Sequence, residues 1–424
     1  MSSDKEMKTV KSSAGQGLVP RLRFPEFLEA GEWEERKLID ICKKITQGGT
    51  PDTSNPDYWN GSIEWLTPAE MGKIETRFID STVRKITITG LKNCSSDLLP
   101  INSVIISTRA PIGHLAINKS EMAINQGCKG LIPKELTNYD FLYYALFIFK
   151  SSLIDLGAGN TFKELSGNSL KNFEISLPSF PEQQKIANCL SSLDDLISAE
   201  TQQLATLKAH KKALMQQLFP AEGETVPQLR FPEFLGAGEW EEKTLGDICD
   251  CIVSGRNKPK SFTGNIPWIT IPDIQGVKIH SSISKLGLSI EEIKECGAKI
   301  VPKNSVIMSC VGTFGLVSIC EQDLVINQQL HAWLPSQIIN NYYLLYSLVL
   351  HKNQMERMAT HTTIAYLNKD SCNAIIISFP SLPEQQKIAS CLSSLDDLIT
   401  AQTQKINTLK QHKKGLMQQL FPLI

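Results

Sequence analysis

Residues 55–58, Asn-Pro-Asp-Tyr, are the stretch of this sequence that comes nearest to a catalytic motif. Asn-Pro-Pro-Tyr/Phe is the motif with which DNA adenine methyltransferases hold a base that has been flipped out of the duplex. Here the second proline is missing, the stretch follows a Gly-Thr-Pro loop instead of a strand, and no Gly-rich cofactor loop is present. P-loop, GxSxG and HExxH motifs are absent too. The residues therefore argue against an enzyme, and a DNA adenine methyltransferase is the disfavoured alternative.

Eleven cysteines and seven histidines are the remaining candidates for metal or redox chemistry. The closest cysteines are Cys249 and Cys251, no CxxC pair occurs, and no histidine stands at a spacing typical of zinc sites. An odd number of cysteines without a regular framework indicates reduced thiols, as in a non-exported protein. We therefore expect no metal site and a cytoplasmic location.

The overall charge is close to zero, because 43 Lys and Arg face 44 Asp and Glu. This balance excludes a uniformly basic nucleic-acid-binding protein, but it is compatible with a local basic groove. No apolar run approaches the roughly 20 residues that span a bilayer, so no membrane contact is expected. Residues 1–17 are polar and lack the apolar core of a secretory signal, and we expect a flexible tail there.

An internal repeat is the strongest signal in the sequence, and it defines the elements that must position any functional residue. Residues 19–42 return as 226–249, and residues 181–220 return as 383–422 with 32 of 40 positions identical. Between these blocks the copies keep a common skeleton, whereas their loops differ. The skeleton includes a matching tripeptide, Ile124-Asn125-Gln126 and Ile326-Asn327-Gln328. Two copies of one scaffold with different loops suit a module that reads different features of one kind of ligand.

The two long repeated blocks each predict a single helix, since Pro stands at the start and apolar residues recur at 4-3 spacing over about five heptads. This stripe is typical of a coiled coil; an ordinary amphipathic surface helix is the alternative, although such helices rarely run so long. In each helix, two positions of this apolar heptad pattern hold polar residues. These are Glu200 and Lys211 in the first helix and Gln402 and Lys413 in the second. The predicted seam comprises Ile186, Leu190, Leu193, Ile197, Leu204, Leu207, Leu214, Leu218, Ile388, Leu392, Leu395, Ile399, Ile406, Leu409, Leu416 and Leu420.

The linker between the first helix and the second repeat, residues 221–226, reaches only about 20 Å when fully extended. If the two helices were parallel, the second globular part would have to bridge about 54 Å, the length of roughly 36 helical residues. A domain of about 150 residues has a radius of gyration near 15 Å, so such a span is awkward. We therefore expect antiparallel helices in a pseudo-two-fold α+β fold, where they separate two mixed α/β domains.

Three stretches resemble the specificity (S) subunit of bacterial type I restriction–modification enzymes. They are the LRFPEF…EW opening of each repeat, the GTP…NPDYWNG…IEW run of residues 49–65, and the PEQQKIA start of both long helices. The duplicated order of variable part and shared helix is similar as well, and the resemblance covers about residues 18–424. The second repeat departs from the pattern at residues 258–264, where Lys-Pro-Lys-Ser-Phe-Thr-Gly replaces the Asn-Pro-Asp-Tyr-Trp run.

The resemblance implies a DNA-recognition subunit with no catalytic activity of its own. Each of two target recognition domains would read one half of an asymmetric, bipartite target in double-stranded DNA. The paired helices would be the spacer and the docking surface for two methyltransferase (M) subunits, and restriction (R) subunits would join that complex. S-adenosylmethionine, ATP and Mg²⁺ would be bound by the partner subunits, with no cofactor in this chain. A protein-binding coiled-coil adaptor without DNA readout is the alternative.

The predicted domains follow from the repeat and this resemblance. They are a flexible tail (1–17), target recognition domain 1 (18–180), spacer helix 1 (181–220), a linker (221–226), target recognition domain 2 (227–382) and spacer helix 2 (383–424).

Polar residues in the Gly-, Pro- and Asn-rich loops of both domains are the candidates for DNA contact, because Thr, Gln, Lys and Arg side chains reach base edges or phosphates. For any single loop, an ordinary surface turn is an equally good interpretation. Tyr58 and Trp59 are expected to pack within their loop more than to stack on bases. The predicted DNA-facing residues are Gln47, Thr50, Tyr58, Arg109, Thr161 and Lys163 in the first domain, and Arg256, Lys258, Lys260, Thr313, Thr362 and Thr363 in the second.

Overall fold

The computed structural model describes residues 18–158, 164–255, 257–360 and 364–422. The chain divides into two compact units: unit 1 comprises Met1–Thr201 with Lys405–Ile424, and unit 2 comprises Gln202–Gln404. The predicted flexible tail, residues 1–17, lies outside the described residues. Among the described residues, none of the helices combines the length and the apolar character that a membrane span requires.

Unit 1 combines short strands with short helices and the first half of one very long helix. Its described strands are β1 (Glu34–Lys37), β2 (Cys42–Gln47), β3 (Trp59–Leu66), β4 (Phe78–Ile79), β5 (Lys85–Ile86), β6 (Val104–Ser107), β7 (Leu115–Asn118), β8 (Met122–Ile124), β9 (Cys128–Pro133) and β10 (Glu174–Leu177). Its helices are α1 (Leu38–Ile41), α2 (Pro68–Met71), α3 (Ile88–Lys92), α4 (Tyr139–Ile148), α5 (Lys150–Ala158), α6 (Gly167–Lys171) and α7 (Phe180–Leu218), which continues into unit 2.

The strands of unit 1 form a five-stranded sheet in the order β2-β9-β6-β7-β4, a three-stranded sheet β5-β3-β8 and the pair β1-β10. β6 is central in the largest sheet, and all four of its residues are buried. Val104 and Ile106 pack in the same core as α4, whereas Ile105 belongs to a second apolar cluster with Leu99 and Met122. Alternate residues of a strand face opposite sides, so a strand covered on both sides is a continuous apolar run. β6 is such a strand, since its residues face both clusters.

Unit 2 repeats this architecture. Its described strands are β11 (Glu241–Thr244), β12 (Cys249–Val253), β13 (Ile266–Ile269), β14 (Lys278–Ile279), β15 (Gly287–Leu288), β16 (Ile300–Val301), β17 (Val306–Ser309), β18 (Val317–Cys320), β19 (Leu324–Ile326), β20 (Leu330–Pro335) and β21 (Ile376–Phe379). Its helices are α8 (Leu245–Ile248), α9 (Ile290–Cys296), α10 (Asn341–Leu350), α11 (Lys352–Met358), α12 (Lys369–Asn373) and α13 (Leu382–Leu420), which continues into unit 1. The sheets are β12-β20-β17-β18-β14, β15-β13-β19-β16 and β11-β21. Apart from β16, they match the sheets of unit 1 strand for strand, and the predicted repeat is confirmed.

Each unit contains two consecutive helices that a single residue separates. Residues 140–156 belong to α4 and α5, which are separated at Phe149, and residues 342–358 belong to α10 and α11, which are separated at His351. The backbone ψ angle is 14° at Phe149 and 8° at His351, far from the helical value near −42°. The helical hydrogen-bond pattern is therefore interrupted at the same place in both units.

The two long helices are antiparallel, as predicted. In unit 1, Lys413 Nζ of α13 lies 2.5 Å from Asp194 of α7, and Lys405 Nζ lies 2.6 Å from Glu200. Residue numbers thus rise along one helix as they fall along the other. In unit 2, the end of α7 packs in one core with the start of α13, which requires the same opposed direction.

All residues of the predicted seam are buried or half-buried. Ile186 and Leu190 pack in the core of unit 1, and Ile388 and Leu392 pack in the core of unit 2. The first turns of each stripe are therefore covered by the globular part of the unit in which the helix begins.

The end of each long helix completes the core of the unit in which it finishes. Phe421, directly after α13, stacks on Phe141 of α4 in unit 1 with ring centroids 5.2 Å apart, and it meets Trp33 edge-on. Phe219, directly after α7, stacks on Tyr343 in unit 2 at 5.1 Å. Each core therefore contains residues from both copies of the repeated helix, and neither repeat closes its core with its own helix alone.

Candidate nucleic-acid interface

A polar loop cluster in unit 1 brings together three of the predicted DNA-facing residues, Gln47, Thr50 and Arg109. Thr50, in the loop after β2, accepts a hydrogen bond from Asn125 Nδ2 at 2.8 Å and donates one to Gln126 Oε1. Gln47 ends β2, pairs with Lys129 of β9 in the sheet register and is exposed. The loop after β2 therefore lies against the loop after β8, beside the start of β9.

Gly48 permits the close approach of these two loops. A Cβ atom on this residue would lie 2.0 Å from the carbonyl oxygen of Asn125, so a larger residue would force the loops apart. Gly49 is fastened on both sides: its amide donates to Ile124 O at 2.9 Å, and its carbonyl accepts from Trp65 Nε1 at 3.0 Å. The loop is thus a fixed support for the Gln47 and Thr50 side chains.

Arg109 lies in the same cluster, paired with a carboxylate. Its Nε is 3.2 Å from Glu164 Oε2, and 49% of its side chain is exposed. The amides of Thr108 and Arg109 both donate to the carbonyl of Gly127, at 2.8 and 3.4 Å, which anchors the loop after β6 beside the loop after β8. Thr161 and Lys163, also predicted here, lie outside the described residues.

Lys129 is a cation of this cluster that the sequence analysis did not single out. It is largely buried, and burial lowers its pKa, while it lies within electrostatic reach of Glu164, Arg109 and Lys171. Lys129 is thus close enough to two further cations and one carboxylate to feel their charge. This local excess of positive charge can attract phosphate although the chain as a whole is nearly neutral.

Tyr58 and Trp59 belong to a packed turn. Asn55 caps the turn, since its side chain accepts from the amide two residues later at 3.0 Å. Trp59 packs edge-on against Trp65 at 5.1 Å, and the Arg84 guanidinium lies 3.7 Å from the centre of its ring. Trp59 is therefore a packing residue, as expected, and Tyr58 is half-buried next to it. The turn occupies the Asn55 side chain, which speaks against a base-holding methyltransferase motif.

In unit 2, Lys258 and Lys260 are both exposed in the loop after β12. The carboxylate of Glu292, in α9, accepts a hydrogen bond from the amide of Thr263 at 3.2 Å and so ties this loop to the helix. Arg256, predicted in the same loop, lies outside the described residues. Exposed lysines on an anchored loop suit phosphate contact.

Thr313 is exposed in the loop after β17. The amide of Gly312 in this loop donates to Ala365 O at 2.8 Å, in the segment that follows α11. Thr362 and Thr363 of that segment lie outside the described residues. The loops that follow β17 and α11 are therefore held side by side.

The repeated Ile-Asn-Gln tripeptide supplies further candidates that were not among the predicted DNA-facing residues. In unit 1, Asn125 and Gln126 hold Thr50. In unit 2, Gln328 is exposed, and its Nε2 lies 3.3 Å from the carbonyl of Gly255. The signal that could have found these residues is their presence in both copies next to loops that differ.

The identical starts of the long helices fasten each helix to its unit. In unit 1, both carboxylate oxygens of Glu182 accept from the Arg23 guanidinium, at 2.7 and 2.8 Å, and both side chains are buried. Arg230 and Glu384 repeat this bidentate pair in unit 2 at the same distances. The glutamine after each glutamate accepts from the amide of the asparagine that caps α4 or α10, at 3.0 and 2.8 Å. These shared residues position the helices.

A tyrosine–aspartate–lysine group recurs where the long helices meet the globular part. In unit 1, the Tyr144 hydroxyl donates to Asp194 at 2.6 Å, and the same carboxylate pairs with Lys413. The group of unit 2 is Tyr346, Asp396 and Lys211, with distances of 2.7 and 2.6 Å. Burial and the adjacent carboxylate raise the pKa of both tyrosines, so both remain hydrogen-bond donors. The lysines in the polar slots of the predicted seam are thus ion-pair partners.

Comparison with known proteins agrees with this architecture. Residues 30–209 and 237–411 match the family model of the type I restriction modification DNA specificity domain. The type I restriction enzyme MjaIX specificity subunit of Methanocaldococcus jannaschii is 31% identical over 408 residues, which cover 92% of each chain.

Two solved structures share the fold. The type I restriction–modification system S subunit from M. genitalium has 16% identity and a TM-score of 0.63, covering 96% of this chain and 100% of that one. A structure described as the basis of complex assembly and conformational transition of the type I R-M system has 18% identity and a TM-score of 0.54, covering 92% and 97%.

Proposed function

The chain belongs to the type I restriction–modification DNA specificity family, and on that premise we propose that each unit reads one half of a bipartite DNA target. The observation that supports this most directly is the contrast between framework and loops. The buried Arg–Glu pair and the tyrosine–aspartate–lysine group are the same in both units, whereas the residues around the loops differ. A shared framework with different loops suits two domains that both bind DNA but recognise different base sequences.

The loop cluster of unit 1 has the chemistry that DNA contact requires. Arg109 is half-exposed beside Lys129 and Lys171, and Thr50 and Gln47 stand on a loop that is fixed at both ends. Cations contact phosphates and fix the register of a protein on the duplex, whereas amide and hydroxyl groups on rigid loops read base edges. In unit 2, the exposed Lys258, Lys260 and Thr313 take the corresponding roles.

The long helices are the proposed spacer and the docking surface for two methyltransferase subunits, with restriction subunits joining that complex. Members of the specificity-subunit family are generally non-catalytic. For this chain we propose the same, so that adenine methylation and ATP-dependent restriction are carried out by the partner subunits, which bind S-adenosylmethionine, ATP and Mg²⁺. The proposed location is the cytoplasm, where the DNA target is found.

The proposal can be tested by sequencing that detects methylated adenine. The DNA is taken from cells that produce this chain together with its methyltransferase subunit. We expect one new motif with two unlike halves separated by a fixed number of unspecified bases. Exchange of residues 40–178 for the corresponding residues of another specificity subunit should change one half only. A protein-binding adaptor predicts no new motif, and a methyltransferase predicts that the chain alone binds S-adenosylmethionine. Either of these results would contradict the proposal.

A further inference from the structure

Two cysteines and a histidine that are far apart in the sequence come together in unit 2. Cys310, His331 and Cys372 place one sulfur or ring nitrogen each within 4.8 Å of the others. The two sulfurs are 3.6 Å apart although the cysteines are 62 residues apart in the chain, and both cysteines are buried. Nδ1 of His331 is buried and has no hydrogen-bond partner in the described part of the chain. Three groups that bind metals thus meet, and one nitrogen is left without a partner.

Each of these residues is held by a regular element. Cys310 directly follows β17, His331 lies in β20 opposite Met308 of β17, and Cys372 lies in α12. The amide of Cys310 donates to Gln329 O at 2.9 Å, and its carbonyl accepts from Leu367 at 2.8 Å. The positions of the three groups are therefore set by the backbone, as in a preformed site.

We propose that Cys310, His331 and Cys372 form a zinc site. Two thiolates and an imidazole are the ligand types that Zn²⁺ prefers. Two sulfurs on a tetrahedral Zn²⁺, each about 2.3 Å from the ion, are about 3.8 Å apart, near the observed separation, whereas a disulfide needs about 2.05 Å. If Nδ1 of His331 is the ligand atom, a coordinated ion would also give this nitrogen the partner that it lacks. A tetrahedral ion has a fourth position, which no metal-binding side chain of this group fills.

The fold itself does not require the thiols. With the offset of 202 residues between the two copies, the counterparts in unit 1 are Thr108, Lys129 and Leu170. These residues occupy the matching places after β6, in β9 and in α6. The same scaffold thus forms with a hydroxyl, an ammonium and an apolar side chain there, so folding of this core does not depend on the two thiols and the imidazole.

A metal at this site would hold the loops after β17 and α11 together. Gly312 and Ala365 join these loops by a hydrogen bond, and Thr360 pairs with Tyr366 at 2.9 Å within the second loop. The loop after β17 carries Thr313, which is predicted to face DNA, so zinc would fix a loop of unit 2 that is proposed to read its half-site. This last consequence depends on the proposed function, whereas zinc binding does not.

Metal analysis of the full chain tests the site directly. The chain is purified, freed of bound metal with a chelator and titrated with Zn²⁺ alone. The amount of bound metal is measured by elemental mass spectrometry. The wild-type chain should bind one Zn²⁺. Cys310→Thr and Cys372→Leu, which introduce the residues of unit 1 at the same positions, should each weaken binding at least tenfold. Cys320→Ala removes a buried thiol of unit 2 outside the cluster and should leave binding unchanged.

Thermal unfolding provides a second readout. Chelator should lower the unfolding temperature of the wild-type chain and leave that of Cys310→Thr unchanged. Three results would overturn the proposed site. The wild-type chain could fail to bind Zn²⁺, or all variants could bind it equally well. The third is a Cys310–Cys372 disulfide, which lowers the mass of the chain by two hydrogens. If Zn²⁺ binds and its removal leaves both half-sites equally well read, the link to DNA recognition is overturned and the proposed function stands. A chain that binds Zn²⁺ but directs no methylation contradicts the proposed function alone.

Discussion

At the scale of single residues, Arg109 is the sharpest test of DNA contact, because it combines a half-exposed guanidinium with a fixed loop. We expect Arg109→Ala to weaken binding of the methyltransferase complex to its target by about 1–3 kcal/mol. Competition binding on duplexes that vary at single positions, repeated at several salt concentrations, measures this. A base contact would relax specificity at one position, whereas a phosphate contact would weaken all sequences alike and lower the salt slope by about one.

Arg36 provides the matched control for this experiment. It is an equally exposed arginine of unit 1 that pairs with Glu34 on β1, outside the loop cluster. Arg36→Ala should leave affinity, specificity and salt slope unchanged. Equal behaviour of the two variants would remove Arg109 from the interface.

Arg23 is a residue that we expect to contribute to the free energy of unfolding and not to DNA recognition. Arg23→Ala would leave the carboxylate of Glu182, which is 1% exposed, without its bidentate partner. Breaking a buried pair in this way typically costs about 3–5 kcal/mol. Urea unfolding followed by tryptophan fluorescence, to which Trp33 contributes, should show that the free energy of unfolding falls by about this amount. The double variant Arg23→Met/Glu182→Leu, which leaves no buried charge, should be more stable than Arg23→Ala; a less stable double variant would refute the explanation.

At the scale of elements, the pairing of the two long helices makes a prediction about spacing. Inserting one heptad into α7 after Thr201 and one into α13 after Gln404 keeps the ion pairs of both units, because each pair lies wholly within one unit. Seven helical residues add about 10 Å, equivalent to about three base pairs. We expect the gap between the half-sites to lengthen by about that amount with both halves unchanged. Methylation of a library of gap lengths measures it, and an unchanged gap would show that the helices do not set the spacing.

The elements also show how far the sequence could predict this protein. The long helices, their antiparallel direction and the repeat could be predicted, because periodicity, linker length and self-similarity are local or countable properties. The division of α4 from α5 at Phe149 could not, since no proline or glycine marks it. The meeting of Cys310 with Cys372 could not either, because it depends on the register of β17 and β20 and on the position of α12. The expectation that no metal site exists rested on spacing alone, which cannot detect ligands brought together from distant elements.

At the scale of the whole molecule, each unit contains the end of a helix that begins in the other. Phe421→Ala should therefore destabilise unit 1 by about 3–5 kcal/mol, because it removes a ring stacked on Phe141 in the core. Phe219→Ala should have the same effect on unit 2. Hydrogen exchange measured by peptide should show faster exchange in α4 for the first variant and in α10 for the second. Equal acceleration in both helices for either variant would contradict this assignment.

The same feature has a consequence for the order in which the chain can fold on the ribosome. Most of unit 1 precedes unit 2 in the chain and is translated before it, but Met417, Leu420 and Phe421, which close the core of unit 1, are made only after all of unit 2. Until then, Trp33 and Phe141 lack the residues that cover them in the folded core. The contact between Trp33 and Phe421 joins parts of the chain that are nearly 400 residues apart, and contacts of such long range form slowly. Unit 2 receives Phe219 before its own strands are synthesised. We therefore expect the second unit to be complete first. A released chain that ends at residue 404 should have a protected α10 and a protease-sensitive α4.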